Sequence, residues 1–198
     1  MPRGALIAIE GIDGAGKTVN SRWVVDLIGS MGLRSSYTRE PTDGPIGRLL
    51  RSGAFGEFSD PRVDALLFAA DRLHHLAQTI EPLLSEGVMV VSDRYVHSSI
   101  AYQGALTGDR AWVEELNRFA RRPDLAIYLD VDPAIGLSRK LSERPTKFER
   151  VEVLERVRDL YLELCEEGEL LRIDASRDLE NVRKDLMKAV EELLRNLR

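Results

Sequence analysis

The run Gly11-Ile12-Asp13-Gly14-Ala15-Gly16-Lys17-Thr18 constrains this chain more tightly than any other part of it. It satisfies G-x-x-x-x-G-K-[ST], follows the apolar segment Ala5–Glu10 and opens a stretch of helical spacing at Lys17–Met31. Strand, glycine-rich turn and helix in that order separate a phosphate-binding loop from a chance cluster of glycines. Glycine lets the backbone turn its N–H groups inward around a phosphate, and the following helix points its positive end at the same place. The sequence therefore predicts an ATP-phosphate seat over Gly11, Ile12, Asp13, Gly14, Ala15, Gly16, Lys17 and Thr18. Lys17 is expected to reach the β- and γ-phosphates, and the Thr18 hydroxyl to ligate magnesium.

Four further apolar, β-branched runs lie downstream. Val88–Ser92, Leu125–Val131 and Leu170–Ile173 are short and nearly continuous in apolar character, as buried parallel strands are; Leu33–Thr38 is weaker. Between the runs, helical spacing covers Lys17–Met31, Pro61–Glu86, Arg110–Arg121, Pro133–Ser142, Glu149–Glu167 and Leu179–Leu197. In the last of these Val182, Leu186, Val190, Leu193 and Leu194 share a face. Asp60 before Pro61 and Asp132 before Pro133 read as helix starts. Strand alternating with helix gives a parallel sheet covered on both sides. The expected fold is α/β in three layers, of the P-loop NTPase type, with a five-stranded parallel sheet flanked by helices on both faces. One domain is expected over residues 1–198, without linker or repeat.

Ligands of such a sheet sit beyond the carboxyl ends of its strands. Two segments there carry arginine: Thr38-Arg39-Glu40-Pro41-Thr42 and Asp93-Arg94-Tyr95. The planar fork of Arg39 or Arg94 suits an acceptor phosphate. Asp93 closes an apolar strand, where P-loop proteins keep the acid that supports magnesium. Composition narrows the partners. A formal charge of -5, from 28 Lys+Arg against 33 Asp+Glu, lacks the basic stripe that a nucleic acid polymer demands. One cysteine excludes an internal disulfide, and three histidines make a zinc site a poor expectation. With no signal-like segment or membrane-length apolar run, the expected location is the cytoplasm.

The sequence resembles the thymidylate kinase family over nearly its whole length. The resemblance rests on Glu10 to Thr18, Thr38-Arg39-Glu40-Pro41, Leu67-Phe68-Ala69-Ala70-Asp71-Arg72, Asp93-Arg94-Tyr95 with Ser98 to Gly104, and Pro123-Asp124-Leu125 leading to Leu129-Asp130-Val131-Asp132-Pro133. What it implies is phosphorylation of dTMP to dTDP by ATP with Mg2+, in a homodimer. On the same footing, Phe68 would stack on thymine and Arg72 would read the base edge. Arg39 and Arg94 would bind the acceptor phosphate, and Asp13 would lie near the acceptor's 3′-hydroxyl and the moving phosphoryl group. Ser99 and Gln103 would line the nucleoside pocket, while Tyr102 would crowd C2′ and refuse ribose. Lys17, Asp13 and Arg94 are then the catalytic candidates, with Thr18 and Asp93 as the metal pair. The dimer interface would be the helix over Asp64–Leu84.

Some family members carry an arginine inside the phosphate loop, where this chain has Gly14 and Ala15. The resemblance then implies a mobile lid at about 134–153 that brings the missing charge. Arg139 and Arg144 are its candidate cations; Lys147 stands where an arginine is usual, and lysine cannot grip a phosphate bidentately. Val19 and Thr42 also depart from the family, which usually has a hydroxyl residue and a glycine there. His74, His75 and His97 read as structural or interface groups. Rival readings are another P-loop nucleotide or deoxynucleoside kinase, a GTPase switch and a non-catalytic nucleotide binder. The sequence contains no guanine-reading Asn-Lys-x-Asp, and Lys17, Thr18, Asp93 and Arg94 argue for catalysis.

Overall fold

A computed structural model describes residues 3–52, 60–139 and 150–197. Its strands are β1 (Leu6–Glu10), β2 (Ser35–Arg39), β3 (Met89–Asp93), β4 (Leu125–Asp130) and β5 (Leu171–Asp174). All pair in parallel, in the order β2-β3-β1-β4-β5. Each expected strand is present within two residues of its sequence bounds. β1 sits at the centre and is buried along its whole length, because strands flank it on both edges and helices cover both faces. The register sets both Ile9 and Arg39 opposite Asp93, so β1, β2 and β3 end level with one another.

The helices are α1 (Lys17–Ser30), α2 (Pro45–Arg51), α3 (Pro61–His75), α4 (Glu81–Ser85), α5 (Val96–Thr107), α6 (Arg110–Leu116), α7 (Pro133–Arg139), α8 (Val151–Glu166) and α9 (Leu179–Asn196). α1 packs with α9, and α5 packs between α3 and α8. The expected apolar face of α9 is buried at Val182, Leu186, Val190 and Leu193. Both aspartate caps form. Asp60 Oδ1 accepts from Arg62 N at 2.9 Å, and Asp132 Oδ1 from Ala134 N at 2.8 Å.

Four elements differ from the sequence reading. The expected helix over Pro61–Glu86 is interrupted by a π-helical turn at Leu76–Ile80, between α3 and α4. Pro82 lacks an N–H and its ring crowds the preceding turn, so the ladder widens ahead of it. α6 stops at Leu116 rather than Arg121; Asn117 Nδ2 turns back onto the Val113 carbonyl at 2.8 Å. α5 and α2 have no counterpart among the expected helices. α5 buries His97, Ser99, Ile100, Ala101, Tyr102, Gln103 and Gly104 nearly all round, so it shows no amphipathic period. α2 is too short for periodicity to register. The centre of the expected lid, residues 140–149 with Arg144 and Lys147, lies outside the described residues.

Candidate active site

The phosphate loop packs against the first turn of α7. Gly14 has φ of 79°, and a Cβ there would fall 1.9 Å from the Gly136 carbonyl oxygen. A Cβ on Gly136 would in turn meet the Asp13 carbonyl oxygen at 2.6 Å. Only two bare backbones fit at this contact. At the start of α1, Thr18 Oγ1 donates to Asp93 Oδ2 at 2.5 Å, and Tyr37 Oη from β2 donates to the same oxygen at 3.3 Å. Lys17 Nζ donates to the Ile12 carbonyl at 2.8 Å and lies 3.5 Å from Asp13 Oδ1. Burial lowers the pKa of Lys17 to about 8, and the nearby Arg94 charge adds to the effect; the carboxylates of Asp13, Asp93 and Glu10 oppose it.

Arg94 completes this group. Its Nη2 pairs with Asp13, while Nη1 donates to the Gly11 carbonyl at 3.1 Å and to Ser98 Oγ at 3.2 Å. Its guanidinium lies 5.1 Å from the centre of the Tyr102 ring. Arg94 takes φ of 70°, alone among the described non-glycine residues. That conformation costs about 1–3 kcal/mol and persists only where the surroundings fix it. Glu10, fully buried at the end of β1, is one of those surroundings. It accepts from Tyr95 N at 2.9 Å, Ser98 Oγ at 2.5 Å and Tyr161 Oη at 3.2 Å. Three donors satisfy a carboxylate that burial alone would penalise heavily.

A second group forms beside the first. Arg72, on α3, is only 1% exposed and pairs with Glu40 Oε2 at 2.7 Å. Its Nη1 donates to Asn117 Oδ1 at 2.5 Å, and Nη2 to the Tyr95 carbonyl at 3.1 Å and Ser99 Oγ at 3.0 Å. Its Nε has no hydrogen-bond partner among the described residues. His75 joins this network, bridging Glu40 Oε1 at 3.0 Å and Thr38 Oγ1 at 2.6 Å. Phe68 is half-buried one turn before Arg72, and Gln103 is buried on α5. Asp71 accepts from Thr42 N and Thr42 Oγ1, each at 2.7 Å, which pins the segment after β2 to α3.

Two expected cations make their hydrogen bonds outside both groups. Arg39 is half-exposed and pairs with Asp43 at 2.8 Å. Arg139 is exposed at the end of α7, where its Nη1 donates to the Ala175 carbonyl at 3.1 Å. Sequence reasoning assigns no role to Glu10, Glu40, Tyr37, Tyr161 or Asn117. Glu10 and Glu40 fall inside recognisable motifs, yet nothing in the sequence says what each holds. Tyr161 has only the spacing of α8 to mark it, and Asn117 lies in a stretch that reads as helix.

The first group has the parts that phosphoryl transfer needs: a glycine-rich loop opening a helix, a buried lysine, a hydroxyl–carboxylate pair and an arginine fork. Comparison with known proteins gives the acceptor class. The profile of the family described as "Thymidylate kinase" matches residues 9–186. The chain is 47% identical over 194 residues to a "Probable thymidylate kinase" of Pyrobaculum calidifontis, covering 97% of this chain and 98% of that one. It is 42% identical over 193 residues to a "Probable thymidylate kinase" of Staphylothermus marinus, covering 96% of each. With a "Thymidylate kinase" of Xylella fastidiosa the identity is 44% over 199 residues, covering 98% of this chain and 90% of the relative.

Proposed function

This chain belongs to the thymidylate kinase family, and from that premise we infer how its residues carry a phosphoryl group from ATP to dTMP to give dTDP. The activity is that of a dTMP kinase. Phosphoryl transfer asks a protein to align donor and acceptor and to neutralise charge on the moving group, and no covalent enzyme intermediate is required.

Loop amides and Lys17 take the donor's phosphates. Magnesium, when bound with ATP, draws charge from the donor's phosphate oxygens. The Thr18 hydroxyl and Asp93 carboxylate, 2.5 Å apart, offer the sparse oxygen set that suits an ion retaining water and phosphate ligands. Arg94 and Arg39 hold the acceptor phosphate, and Asp13 lies between Lys17 and Arg94, where acceptor and donor meet. Phe68 offers its ring to the thymine. The Nε–H of Arg72 is the donor its network leaves over for a base oxygen. Ser99 and Gln103 line the nucleoside pocket, and buried Tyr102 supplies the steric bar to a 2′-hydroxyl. Arg139 and Arg144 supply further positive charge from the segment at about 134–153. Among the described residues no helix is long and apolar enough to cross a membrane. Both substrates are water-soluble anions, and the cytoplasm is the proposed location. A homodimer joined through α3 accords with Leu66, Ala70 and Leu73, which lie exposed on one side of that helix.

The observation that carries this reading is the meeting of Lys17, Asp13 and Arg94 at one point beyond β1 and β3. An acceptor screen with dTMP, dUMP, AMP, GMP and thymidine tests it. dTMP is expected to give the highest kcat/KM, and Lys17→Ala to slow dTDP formation at least about a hundredfold. A better acceptor than dTMP, or undiminished turnover by the variant, would overturn it.

A further inference from the structure

Just beyond β2, three arginines gather on one aspartate, two of them at its carboxylate and one at its backbone carbonyl. Asp43 Oδ1 receives Arg39 Nη2 at 2.8 Å and Arg51 Nη2 at 2.9 Å, while Arg48 Nη1 donates to the Asp43 carbonyl at 2.6 Å. Arg51 Nη1 also donates to the Pro41 carbonyl at 2.7 Å. Two guanidinium forks converging on a single oxygen match the demand of a phosphate oxygen at least as well as that of a carboxylate. The group is open to solvent: the side chains of Asp43, Arg39 and Arg51 are 74%, 51% and 36% exposed. Exposed pairs of this kind contribute little to stability and exchange partners readily.

The loop does not depend on this carboxylate for its shape. Thr42 is held by Asp71 through both its N–H and its hydroxyl, at 2.7 Å each. Gly44 N donates to Thr42 Oγ1 at 3.1 Å, and a Cβ on Gly47 would fall 2.0 Å from the Thr42 carbonyl oxygen, so α2 packs against Thr42 directly. Among the described residues, the Asp43 carboxylate therefore meets arginines alone. Its place in the fold puts those arginines near the site. Arg39 lies in register with Asp93, one residue before Arg94, on strands about 4.8 Å apart.

We propose that Asp43 is a positioning residue that stands in for the acceptor's phosphate. Its carboxylate occupies the fork of Arg39 and Arg51 until a nucleoside monophosphate displaces it, and that exchange sets the affinity for the acceptor. The inference rests on Arg39 as an acceptor-phosphate ligand, and it adds Arg51 to that set. A phosphate dianion brings more charge and more oxygens than one carboxylate, so it wins the fork. The hydrogen bond from Arg39 keeps the Asp43 carboxyl below its usual range, so the competitor stays ionised through the neutral pH range.

Steady-state kinetics on the full chain, varying dTMP at saturating ATP and at low and high salt, test this. Asp43→Asn is expected to lower the KM for dTMP by about two- to tenfold, as two released exposed pairs allow, while the KM for ATP stays where it was. Asp43→Glu should restore the original KM, and the gain from Asp43→Asn should shrink at high salt. Arg39→Ala and Arg51→Ala should each raise the KM for dTMP. If Asp43→Asn leaves that KM unchanged or raises it while Arg39→Ala raises it, the stand-in role is wrong and Arg39 keeps its role. If Arg39→Ala leaves the KM unchanged, the reading of Arg39 fails, and this inference with it. A raised KM accompanied by a lower Tm in Asp43→Asn would mark a structural aspartate and also overturn the proposal.

Discussion

A lysine buried beneath its phosphate loop behaves differently from one in water. With its pKa lowered to about 8, chiefly by burial, Lys17 is substantially neutral at pH 8.5 before a donor binds. Triphosphate oxygens favour the charged form, so donor binding at that pH should be accompanied by proton uptake at Lys17, and the lysine's share of that uptake should fade as the pH falls below 8. Calorimetry in two buffers of different ionisation enthalpy reads this directly, and a binding enthalpy independent of buffer at pH 8.5 would refute it. The sign for stability follows from the same shift. An unfolded lysine near 10.5 holds its proton where the folded one has lost it. Stability therefore rises with pH between about 8 and 10.5, and the folded state carries the full desolvation penalty below 8. At this scale the sequence speaks clearly for Lys17, Thr18 and Asp93, because a motif sets their geometry. It is silent on Arg94's φ of 70° and on the carboxylate of Glu10 that helps to hold the turn, because backbone strain and burial are set by distant neighbours.

Among elements, the contact between the phosphate loop and α7 matters most. In the sequence Gly136 is one small residue near the start of a helix, yet its bare Cα lies against the Asp13 carbonyl. Gly136→Ala is expected to push the loop off its position, with about 1–3 kcal/mol of overpacking to relieve. The readout is a loss of about tenfold or more in kcat/KM for ATP, with a smaller change in Tm, since the rest of the core is untouched. Unaltered donor kinetics in that variant would show that loop and helix are free of each other. α5 depends on its packing in a similar way. It sets Ser99 against Arg72 and the Tyr102 ring beside Arg94, but its burial on nearly every side erases the period by which helices are read.

For the molecule as a whole, the level ends of β1, β2 and β3 gather the site at one edge of the sheet, while α3 keeps an exposed apolar side. Leu66 is 51% exposed and Leu73 43% exposed, one on each side of Ala70 along the helix. A chain that dimerises through α3 should elute with twice the mass of one protomer, and Leu66→Glu with Leu73→Glu should shift it to the monomer mass, since charges placed in an apolar interface are costly to bury. Light scattering coupled to size exclusion decides between the two. A wild-type monomer, or a double variant that stays dimeric, would move the interface elsewhere or remove it.

The sequence by itself determined the parallel α/β architecture, the phosphate loop and the kinase family, because each is written in local order: alternating runs, fixed spacing, motifs in sequence. Tertiary structure alone decided what each carboxylate holds. Glu40 meets Arg72 and Glu10 meets the first turn of α5, both pairings that chain folding makes between separate elements. Pairing in a low-dielectric interior depends on distance and burial, and neither can be read from the order of residues along a chain.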